Sequence, residues 1–495
     1  MTLFIEKENS SFLKLKTSDE GIIRHIKDEF TFDIPNYKFT KAYKSGKTWN
    51  GKINLLKRNN LLYSGLLEVL KEFLKKNRYE FVDNFSEKNP DIVSLEAIKN
   101  HISFLKLNYE PRDYQIAYVH SILNQKNGII VSPTSSGKTL TLFIFLTFIL
   151  KHNKAKKLLI LVPSISLIQQ MIDDFISYTS SDSIKSFFKN QVHLQLDGVD
   201  KFSEKKVTIS CWQSAVYLPS DYLKMFDFVC ADEVHSMSKT SGQKILESCI
   251  NSTYRIGLTG TLQDTTLDLL VLEGLFGKPL RLVTTKELMD RNEIATLKIK
   301  NIILPYSKEL SKTISKLNFQ QEYEFIISLN SRMKILIDFI SSLEENTLVL
   351  FTRIEKHGEI IFKNILERKL DKKILFLSGK NNAKEREEVR QITENNKNVI
   401  IIGSYGVISQ GVSIKNIHNI VFSSPFKAKI RILQSIGRGL RLHPEKKFCT
   451  VYDFVDYAKY KGRQNYFLSH FLSRFELYQT EQFFAENIKF PFEVS

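Results

Sequence analysis

The sequence predicts an α/β chain in which two tandem parallel-sheet domains follow a small α+β domain. Short apolar runs of about five residues alternate with longer amphipathic segments from residue 128 onward, which is typical of buried parallel strands joined by helices. The alternation forms two successive series with a break near 284–294, so two sheets are expected. Residues 1–105 do not follow the alternation and contain a basic, aromatic segment instead.

The apolar runs define the expected domain limits. The first series is GIIVS, LLILV, VTISC, FDFVC and RIGLT, and the second is TLVLF, KILFL, NVIII, HNIVF and FCTVYDF. We therefore expect an accessory domain over 1–105, a first sheet domain over 106–290, a second over 291–457, and a helical tail over 458–495.

The composition is that of a large, basic globular chain. Its 495 residues are 42% hydrophobic, which suffices for two or three domains with buried cores. The net charge of +17, from 71 Lys and Arg against 54 Asp and Glu, favours a polyanionic partner, although a lysine-rich coding bias would give the same excess. Four widely spaced cysteines indicate neither a disulfide framework nor a zinc site. With no signal peptide and no apolar run long enough to span a bilayer, a cytosolic protein is expected.

The tetrapeptide Ser-Gly-Lys-Thr occurs twice, and only the later copy has the surroundings of a phosphate-binding loop. An apolar strand precedes it and an apolar helix follows it, so backbone N–H groups and the positive helix end can face the phosphates of ATP. Lys138 is expected to reach the β- and γ-phosphates, and Thr139 to hold Mg²⁺. The rest of the loop would wrap the phosphates through Thr134, Ser135, Ser136 and Gly137. The loop departs from the general pattern because Ser132 stands where glycine is usual, and Ser135 where it is common.

The run FDFVCADEVH predicts a strand that ends in two carboxylates. Asp232 suits positioning of Mg²⁺ through water, and Glu233 suits orienting and deprotonating an attacking water. An exposed acidic pair at a strand end is the simpler alternative, but it is weakened by the phosphate loop about a hundred residues upstream. His235 could connect this site to the next motif, RIGLTGTL, through Thr259 and Thr261.

The segment QSIGRGLR carries two arginines three residues apart. On a helix, Arg438 and Arg441 would share one face, and a planar guanidinium suits a phosphate in its transition state. Taken alone, this motif would be interpreted as two solvent-exposed arginines on a helix. Its occurrence after the other three motifs, in this order, argues against coincidence.

Together these motifs resemble the D-E-x-H group of superfamily 2 helicases, which have two RecA-like domains. The segments YKFTKAYKSGKTWNGKINLL and GSYGVISQGVSIKNIHNIV narrow the resemblance to the UvsW DNA helicases of tailed phages. The resemblance implies an ATP- and Mg²⁺-dependent DNA helicase or translocase acting on branched DNA such as forks, junctions and R-loops. It also implies roles in recombination, repair and replication, with proteins of those processes as partners and with RNA–DNA hybrid as a further substrate.

The resemblance also assigns roles to individual residues. Arg112 and Gln115 of PRDYQ would contact the adenine, and Gln434 would face the γ-phosphate or the attacking water, beside Arg438 and Arg441 as arginine fingers. The DNA contacts that the motifs imply are Pro163, Ser164, Gln169, Gln213, Ser214, Thr352, Arg353, Ser404 and Gly411. The last motif commonly ends Gly-Ile-Asp but here reads Gly-Val-Ser, so the resemblance does not carry over the ribose or domain-coupling contact of that aspartate.

The earlier Ser-Gly-Lys-Thr copy lies in a basic segment, Lys38–Arg58, with seven Lys and Arg and no acidic residue. Lys44 and Lys47 are candidates for phosphate contacts, and Trp49 for a base contact. A β-hairpin with a solvated basic face is the structural alternative. For the whole chain, the other functions to consider are a D-E-x-H RNA helicase, a motor subunit of a nuclease complex, and a binding module with an inactive phosphate loop.

Overall fold

The computed structural model describes residues 2–34, 37, 50–84, 92–196, 198, 200–262, 265–409, 414–424, 426, 428–443 and 446–495. The chain forms two compact units: Met1–Ser132 with Gly137–Leu282, and Pro133–Ser136 with Val283–Ser495. Each large sheet has seven strands and is parallel throughout, so the predicted fold class is confirmed. None of the helices in the described ranges combines the length and apolar character needed to cross a membrane.

The N-terminal region of the first unit is a small mixed sheet with two helices. The sheet has the order β5-β2-β1-β6, and β3 and β4 form a separate antiparallel pair. Alternate residues such as Leu3 and Ile5 are fully buried, which is the expected pattern of a sheet with one covered face. The elements are β1 (Leu3–Lys7), β2 (Phe12–Lys16), α1 (Glu20–Glu29), β3 (Thr31–Asp33), β4 (Lys52–Asn54), β5 (Leu61–Tyr63), α2 (Leu67–Lys76) and β6 (Phe81–Asp83).

The large sheet of the first unit has the order β13-β7-β12-β11-β8-β10-β9. Strands such as β8 and β10 are buried along their whole length, because helices cover both faces of the sheet. The strands are β7 (Asn127–Val131), β8 (Leu158–Val162), β9 (Val192–Gln195), β10 (Val207–Cys211), β11 (Phe228–Asp232), β12 (Tyr254–Thr259) and β13 (Pro279–Leu280). The helices are α3 (Leu95–Leu105), α4 (Asp113–Gln125), α5 (Lys138–Lys151), α6 (Ile165–Ser177), α7 (Asp182–Gln191), α8 (Trp212–Ala215), α9 (Ser220–Leu223), α10 (Thr240–Ser248) and α11 (Thr266–Phe276).

Helix α3 was expected in the accessory domain but packs against α4 and α5 of the large sheet. Its buried His101 places Nε2 3.0 Å from Thr147 Oγ1 on α5. The small sheet ends earlier, with β6 at Asp83. The residues that join the two parts include 85–91, which lie outside the described ranges.

The sheet of the second unit has the order β16-β17-β15-β18-β19-β14-β22. Its strands are β14 (Thr296–Pro305), β15 (Thr347–Phe351), β16 (Lys373–Leu377), β17 (Val399–Ser404), β18 (Asn419–Phe422), β19 (Phe448–Tyr457) and β22 (Ala485–Lys489), and a hairpin is formed by β20 (Lys459–Tyr460) and β21 (Arg463–Gln464). The helices are α12 (Thr285–Asp290), α13 (Lys308–Ile314), α14 (Phe319–Ser328), α15 (Asn330–Ser342), α16 (Glu359–Glu367), α17 (Ala383–Asn395), α18 (Tyr405–Ser409), α19 (Lys429–Gly439) and α20 (Tyr466–Thr480).

The segment 458–495 differs from the helical tail expected of it. Only α20 is helical, and β22 pairs in parallel with β14 to complete the second sheet. β22 has the sequence AENIK, whose single large apolar residue carries too weak a strand pattern to be recognised. The tail is therefore part of the second sheet domain.

Candidate active site

The phosphate loop joins the end of β7 to the start of α5. Ser132 N donates to Thr259 O at 3.0 Å, which aligns the start of the loop with the neighbouring strand β12. Gly137 has φ +80°, a conformation that favours glycine, and a Cβ there would lie 2.3 Å from Gln115 Nε2 and displace that side chain. Ser135 also has positive φ, at 71°, which explains why glycine is common at that position of the loop. The backbone conformation therefore fits the motif despite its serines.

Gln115 ties the start of α4 to the end of the loop. Its Nε2 donates to Gly137 O at 3.2 Å, and its Oε1 accepts from Arg112 N at 2.9 Å. Arg112 Nη1 donates to Tyr114 Oη at 2.8 Å. The two residues expected to contact the adenine thus lie beside the loop, and Gln115 supports its glycine directly.

Lys138 lies at the first position of α5 and turns back over the loop. Its Nζ donates to Ser132 O at 3.0 Å, so the ammonium lies where a bound polyphosphate would be held. Thr139 follows it in the first turn and is half-buried. The dipole of α5 adds positive potential at the same point.

Asp232 and Glu233 lie at the carboxyl end of β11. Burial and the neighbouring Glu233 carboxylate together raise the pKa of Asp232 to about 6, against the opposing effect of Lys138. Glu233 has φ 49°, an uncommon backbone conformation for a residue with a side chain, and its N–H donates to Asp232 Oδ1 at 3.0 Å. This turn directs the two carboxylates of consecutive residues to different positions.

A polar network connects Glu233 to the next motif. His235 Nδ1 is 3.2 Å from Glu233 Oε2 and 3.4 Å from Thr259 Oγ1. Thr259 Oγ1 is in turn 2.7 Å from Thr261 O and 3.5 Å from the Glu233 carboxylate. The adjacent parallel strands β11 and β12 bring these residues together. Two of the proposed coupling residues, His235 and Thr259, therefore contact the proposed base, and Thr261 contacts Thr259.

Four candidate DNA-contact residues of the first unit, Pro163, Ser164, Gln213 and Ser214, follow the carboxyl ends of the adjacent strands β8 and β10, and Gln169 lies on α6. Gln213 is exposed and donates from Nε2 to Pro163 O at 3.1 Å, so the two motifs touch. Ser164 Oγ lies 2.9 Å from Ser166 Oγ, and the exposed Gln169 donates to Asp173 Oδ1 at 2.9 Å. Ser214, beside Gln213 on α8, is half-buried.

The second unit contains the arginine motif on and after α19. Gln434 and Arg438 lie on this helix, but it ends at Gly439, so Arg441 follows the helix instead of sharing a helical face with Arg438. The reason is a close approach to β19. A Cβ on Gly439 would lie 2.3 Å from Cys449 Sγ, so glycine allows the helix end to approach β19, and glycine also weakens the last turn.

Thr352, Arg353 and Ser404 lie at the carboxyl ends of the paired strands β15 and β17. Thr352 Oγ1 hydrogen-bonds the Tyr323 hydroxyl, and Arg353 Nη2 donates to Gln320 Oε1 at 3.0 Å. Four further candidates, Lys44, Lys47, Trp49 and Gly411, lie outside the described residues.

Sequence reasoning missed two buried ion pairs on β19 that support the segment before α19. Arg474 of α20 donates twice to Asp453, at 2.7 and 2.8 Å, and Nη1 donates to Phe426 O at 2.8 Å. Arg332 pairs with Asp456 in the same way and donates to Ser423 O at 3.0 Å. The signal available in the sequence was the pair of aspartates in the otherwise apolar VYDFVDY.

The first unit has the donors that a magnesium–nucleotide complex needs. No group of three or more His, Cys, Asp or Glu side chains in the described residues is arranged to hold a metal ion by itself. Mg²⁺ in nucleotide sites usually takes only one or two protein ligands besides phosphate oxygens and water, which Thr139 and Asp232 can supply. A divalent cation would also favour the charged form of the buried Asp232.

The structure has two all-parallel sheets. The first carries a phosphate loop, an acidic pair and a Thr-Gly-Thr segment that contacts the acidic pair. This combination defines the class as an ATP-dependent helicase motor. Matches to family models cover a type III restriction enzyme res subunit at residues 108–264, a helicase conserved C-terminal domain at 331–443, and the DNA helicase UvsW N-terminal domain at 5–83. The chain belongs to the UvsW family of ATP-dependent DNA helicases, because it is 30% identical to uvsW of Enterobacteria phage T4 over 94% of this chain and 95% of that protein.

One further relative and two solved structures are also similar to this chain. The DNA 3'-5' translocase XPB2 of Sulfurisphaera tokodaii is 26% identical over 81% of this chain and 91% of its own. The crystal structure of T4 UvsW matches with a TM-score of 0.52 at 29% identity, covering 99% of both chains. Yeast Dbp5 bound to RNA shares the fold, with a TM-score of 0.53 at 13% identity over 79% of this chain.

Proposed function

We propose that this protein uses Mg²⁺ and ATP hydrolysis to remodel branched DNA, such as forks, junctions and R-loops, in recombination, repair and replication. The observation that carries this proposal is the attachment of the N-terminal accessory region to the first motor sheet, with which it shares one hydrophobic core. A binding element fixed to a motor domain can hold one arm of a branched substrate while the motor acts on another.

Arg255 of β12 is the clearest link between the two parts of this unit. It is fully buried, and its Nη2 donates to Ser11 Oγ of the accessory region at 2.6 Å and to Cys249 O at 2.7 Å. Burial lowers its pKa to about 10. β12 ends in Thr259, so one strand joins the accessory region to the network around Glu233.

The positions of these side chains support the catalytic roles that we propose. Glu233 orients a water molecule and accepts its proton, and Lys138 holds the terminal phosphates. Thr139 and Asp232 would hold Mg²⁺, which neutralises charge developing on the phosphate oxygens when bound. The network of His235 and Thr259 lets a change at Glu233 reach β12 and the accessory region. Gln434, Arg438 and Arg441 are proposed to complete the site as water-positioning and transition-state groups.

The test compares ATPase stimulation by single-stranded DNA, duplex DNA, a four-way junction and RNA of matched length. We expect the junction to stimulate most per nucleotide, and RNA least. Stronger stimulation by RNA would favour an RNA helicase, and absence of hydrolysis with every nucleic acid would favour an inactive binding module. Equal stimulation by single strand and junction would contradict the branched substrate. A nuclease subunit that co-purifies with the chain would favour a motor subunit.

A further inference from the structure

A small β-hairpin emerges from the second sheet directly after β19. Its strands pair Lys459 with Gln464 and Tyr460 with Arg463. Asn465 closes the base, since its backbone N–H donates to Ala458 O and its side chain accepts from Ala458 N, both at 3.2 Å. The hairpin is therefore short and closed at its base, and β20 packs against α13.

The hairpin lies at the same sheet edge as the DNA-contact candidates of this unit. β15, β18 and β19 are neighbouring parallel strands, and the carboxyl ends of parallel strands share an edge. Thr352 and Arg353 follow β15 at that edge, and the hairpin follows β19.

Its charge is uniformly positive. From residue 457 to 475 the chain contains no Asp or Glu, and the three exposed cations are Lys459, Lys461 and Arg463. In the part of the chain that the structure describes, none of these three forms an ion pair. Glu322, which α14 brings to the start of α20, is buried and accepts from the N–H groups of Tyr466 and Phe467.

An exposed aromatic ring follows these cations in the chain, since Tyr466 comes three residues after Arg463, and Lys461 Nζ lies 5.9 Å from the centroid of the Tyr460 ring. Tyr466 and Phe319 are each 39% exposed, and their ring centroids are 5.8 Å apart in an edge-to-face arrangement. Exposed rings next to a run of cations are the combination that binds single-stranded nucleic acid, because rings stack on bases and cations contact phosphates.

The loop of the hairpin contains a lysine at a position that disfavours it. Lys461 and Gly462 both have positive φ, at 45° and 80°, as in the two-residue turns that prefer Asn-Gly. A lysine in this region is less stable than asparagine or glycine. A residue that opposes local preference and presents a charge at an exposed tip points to a functional role.

We infer that the β20–β21 hairpin, with the Tyr466 and Phe319 rings, binds a single strand of DNA at the second motor domain. Lys459, Lys461 and Arg463 contact successive phosphates, and Tyr466 offers its ring to a base. The inference rests on the proposed action on DNA and names a surface for it that the helicase motifs do not include.

The decisive variant is Lys461→Asn, because it removes a positive charge and places at this positive φ a residue that tolerates it better than lysine. We expect its melting temperature to equal or exceed that of the wild type. Its affinity for a 20-nucleotide single strand should fall about fivefold at 0.1 M salt, with the log–log salt slope reduced by about 0.7, as for one lost phosphate contact. Lys459→Gln and Arg463→Gln added to it should bring the loss to about a hundredfold.

Lys369→Asn is the matched control. Lys369 is exposed and also has positive φ, at 47°, but it lies between α16 and the start of β16, and therefore at the opposite sheet edge. It should gain the same turn stability and leave DNA affinity unchanged. For the ring, Tyr466→Leu should weaken binding at least about fivefold while Tyr466→Phe retains it.

The outcomes separate the two proposals. If wild-type protein binds DNA and Lys461→Asn binds as tightly as Lys369→Asn, the hairpin is not a DNA contact, and the proposed function stands. Wild-type protein that binds RNA but not DNA would overturn both the proposed function and the inference about the hairpin. Weaker binding together with a lower melting temperature in Lys461→Asn would show damage to the fold and would also overturn the inference.

Discussion

Arg474 provides the most quantitative test of how the second unit is built. Its side chain is 2% exposed and that of Asp453 is 0% exposed, and the two share a bidentate pair at 2.7 and 2.8 Å. The Tyr478 hydroxyl donates to the same carboxylate at 2.9 Å. Replacing Arg474 by Met leaves a buried carboxylate without its counter-charge, which costs about 3–5 kcal/mol. For a unit of this size, that loss lowers the melting temperature by about 6–20 °C.

The assay is differential scanning calorimetry of the full chain, with two comparison variants. Arg368→Met removes an exposed pair with Asp338, 45% and 47% exposed, and should cost less than about 1 kcal/mol. The double variant Arg474→Met with Asp453→Asn also removes the unpaired buried charge of Asp453. It should recover at least about 1 kcal/mol of the lost free energy of unfolding. An Arg474→Met protein as stable as Arg368→Met would refute the reasoning.

The same variant has a catalytic consequence. Arg474 Nη1 donates to Phe426 O, in the segment that leads into α19. In Arg474→Met protein assayed below its unfolding transition, kcat should fall while the KM for ATP changes little, because α19 carries the proposed finger Arg438. Equal loss in both parameters would indicate general unfolding instead.

Three other predictions concern the proposed sites. Lys138→Ala should weaken ATP binding, whereas Glu233→Gln should bind ATP but barely hydrolyse it. Hydrolysis by Glu233→Gln near the wild-type rate would show that Glu233 is not the catalytic base. Arg438→Ala or Arg441→Ala should lower kcat by about 10³-fold with nucleotide affinity changed much less, and retained DNA-stimulated turnover would exclude that arginine as a finger. Lys44→Ala with Lys47→Ala should flatten the salt dependence of DNA binding by about one to two units of log–log slope and leave ATP affinity unchanged. A large loss of ATP binding in Lys47→Ala would mean that the earlier Ser-Gly-Lys-Thr copy is the nucleotide site.

The sequence predicted ten strands of the two large sheets from their mainly apolar runs of about five residues, because a strand covered by helices on both faces needs little pattern other than its length. It missed strands with mixed composition. β14 reads TLKIKNIILP, in which Lys298, Lys300 and Asn301 interrupt the apolar run, and β22 is almost wholly polar. Their strand character comes from pairing with each other and with β19, which is a tertiary effect.

The candidate site was predictable to the extent that its residues lie in contiguous motifs. The contact between Glu233 and Thr259 required only that β11 and β12 be neighbours, and a link from His235 to the next motif was expected. The position of Arg441 beyond α19 depends on the close approach of Gly439 to Cys449, which no local pattern records. The support of Phe426 by Arg474 likewise joins residues 48 positions apart through a buried side chain.

The pairing of β22 with β14 has a consequence for how the protein is made. Asn301 Nδ2 donates to Asn487 Oδ1 at 2.8 Å across 186 positions of sequence. At about 5–20 residues per second, a ribosome needs roughly 10–40 s to make the intervening chain. Throughout that interval the outer edge of β14 has no strand to pair with, and an open edge can recruit a strand from another nascent chain. The yield of this protein should therefore depend on translation speed over its last few hundred codons and on the density of ribosomes along the message.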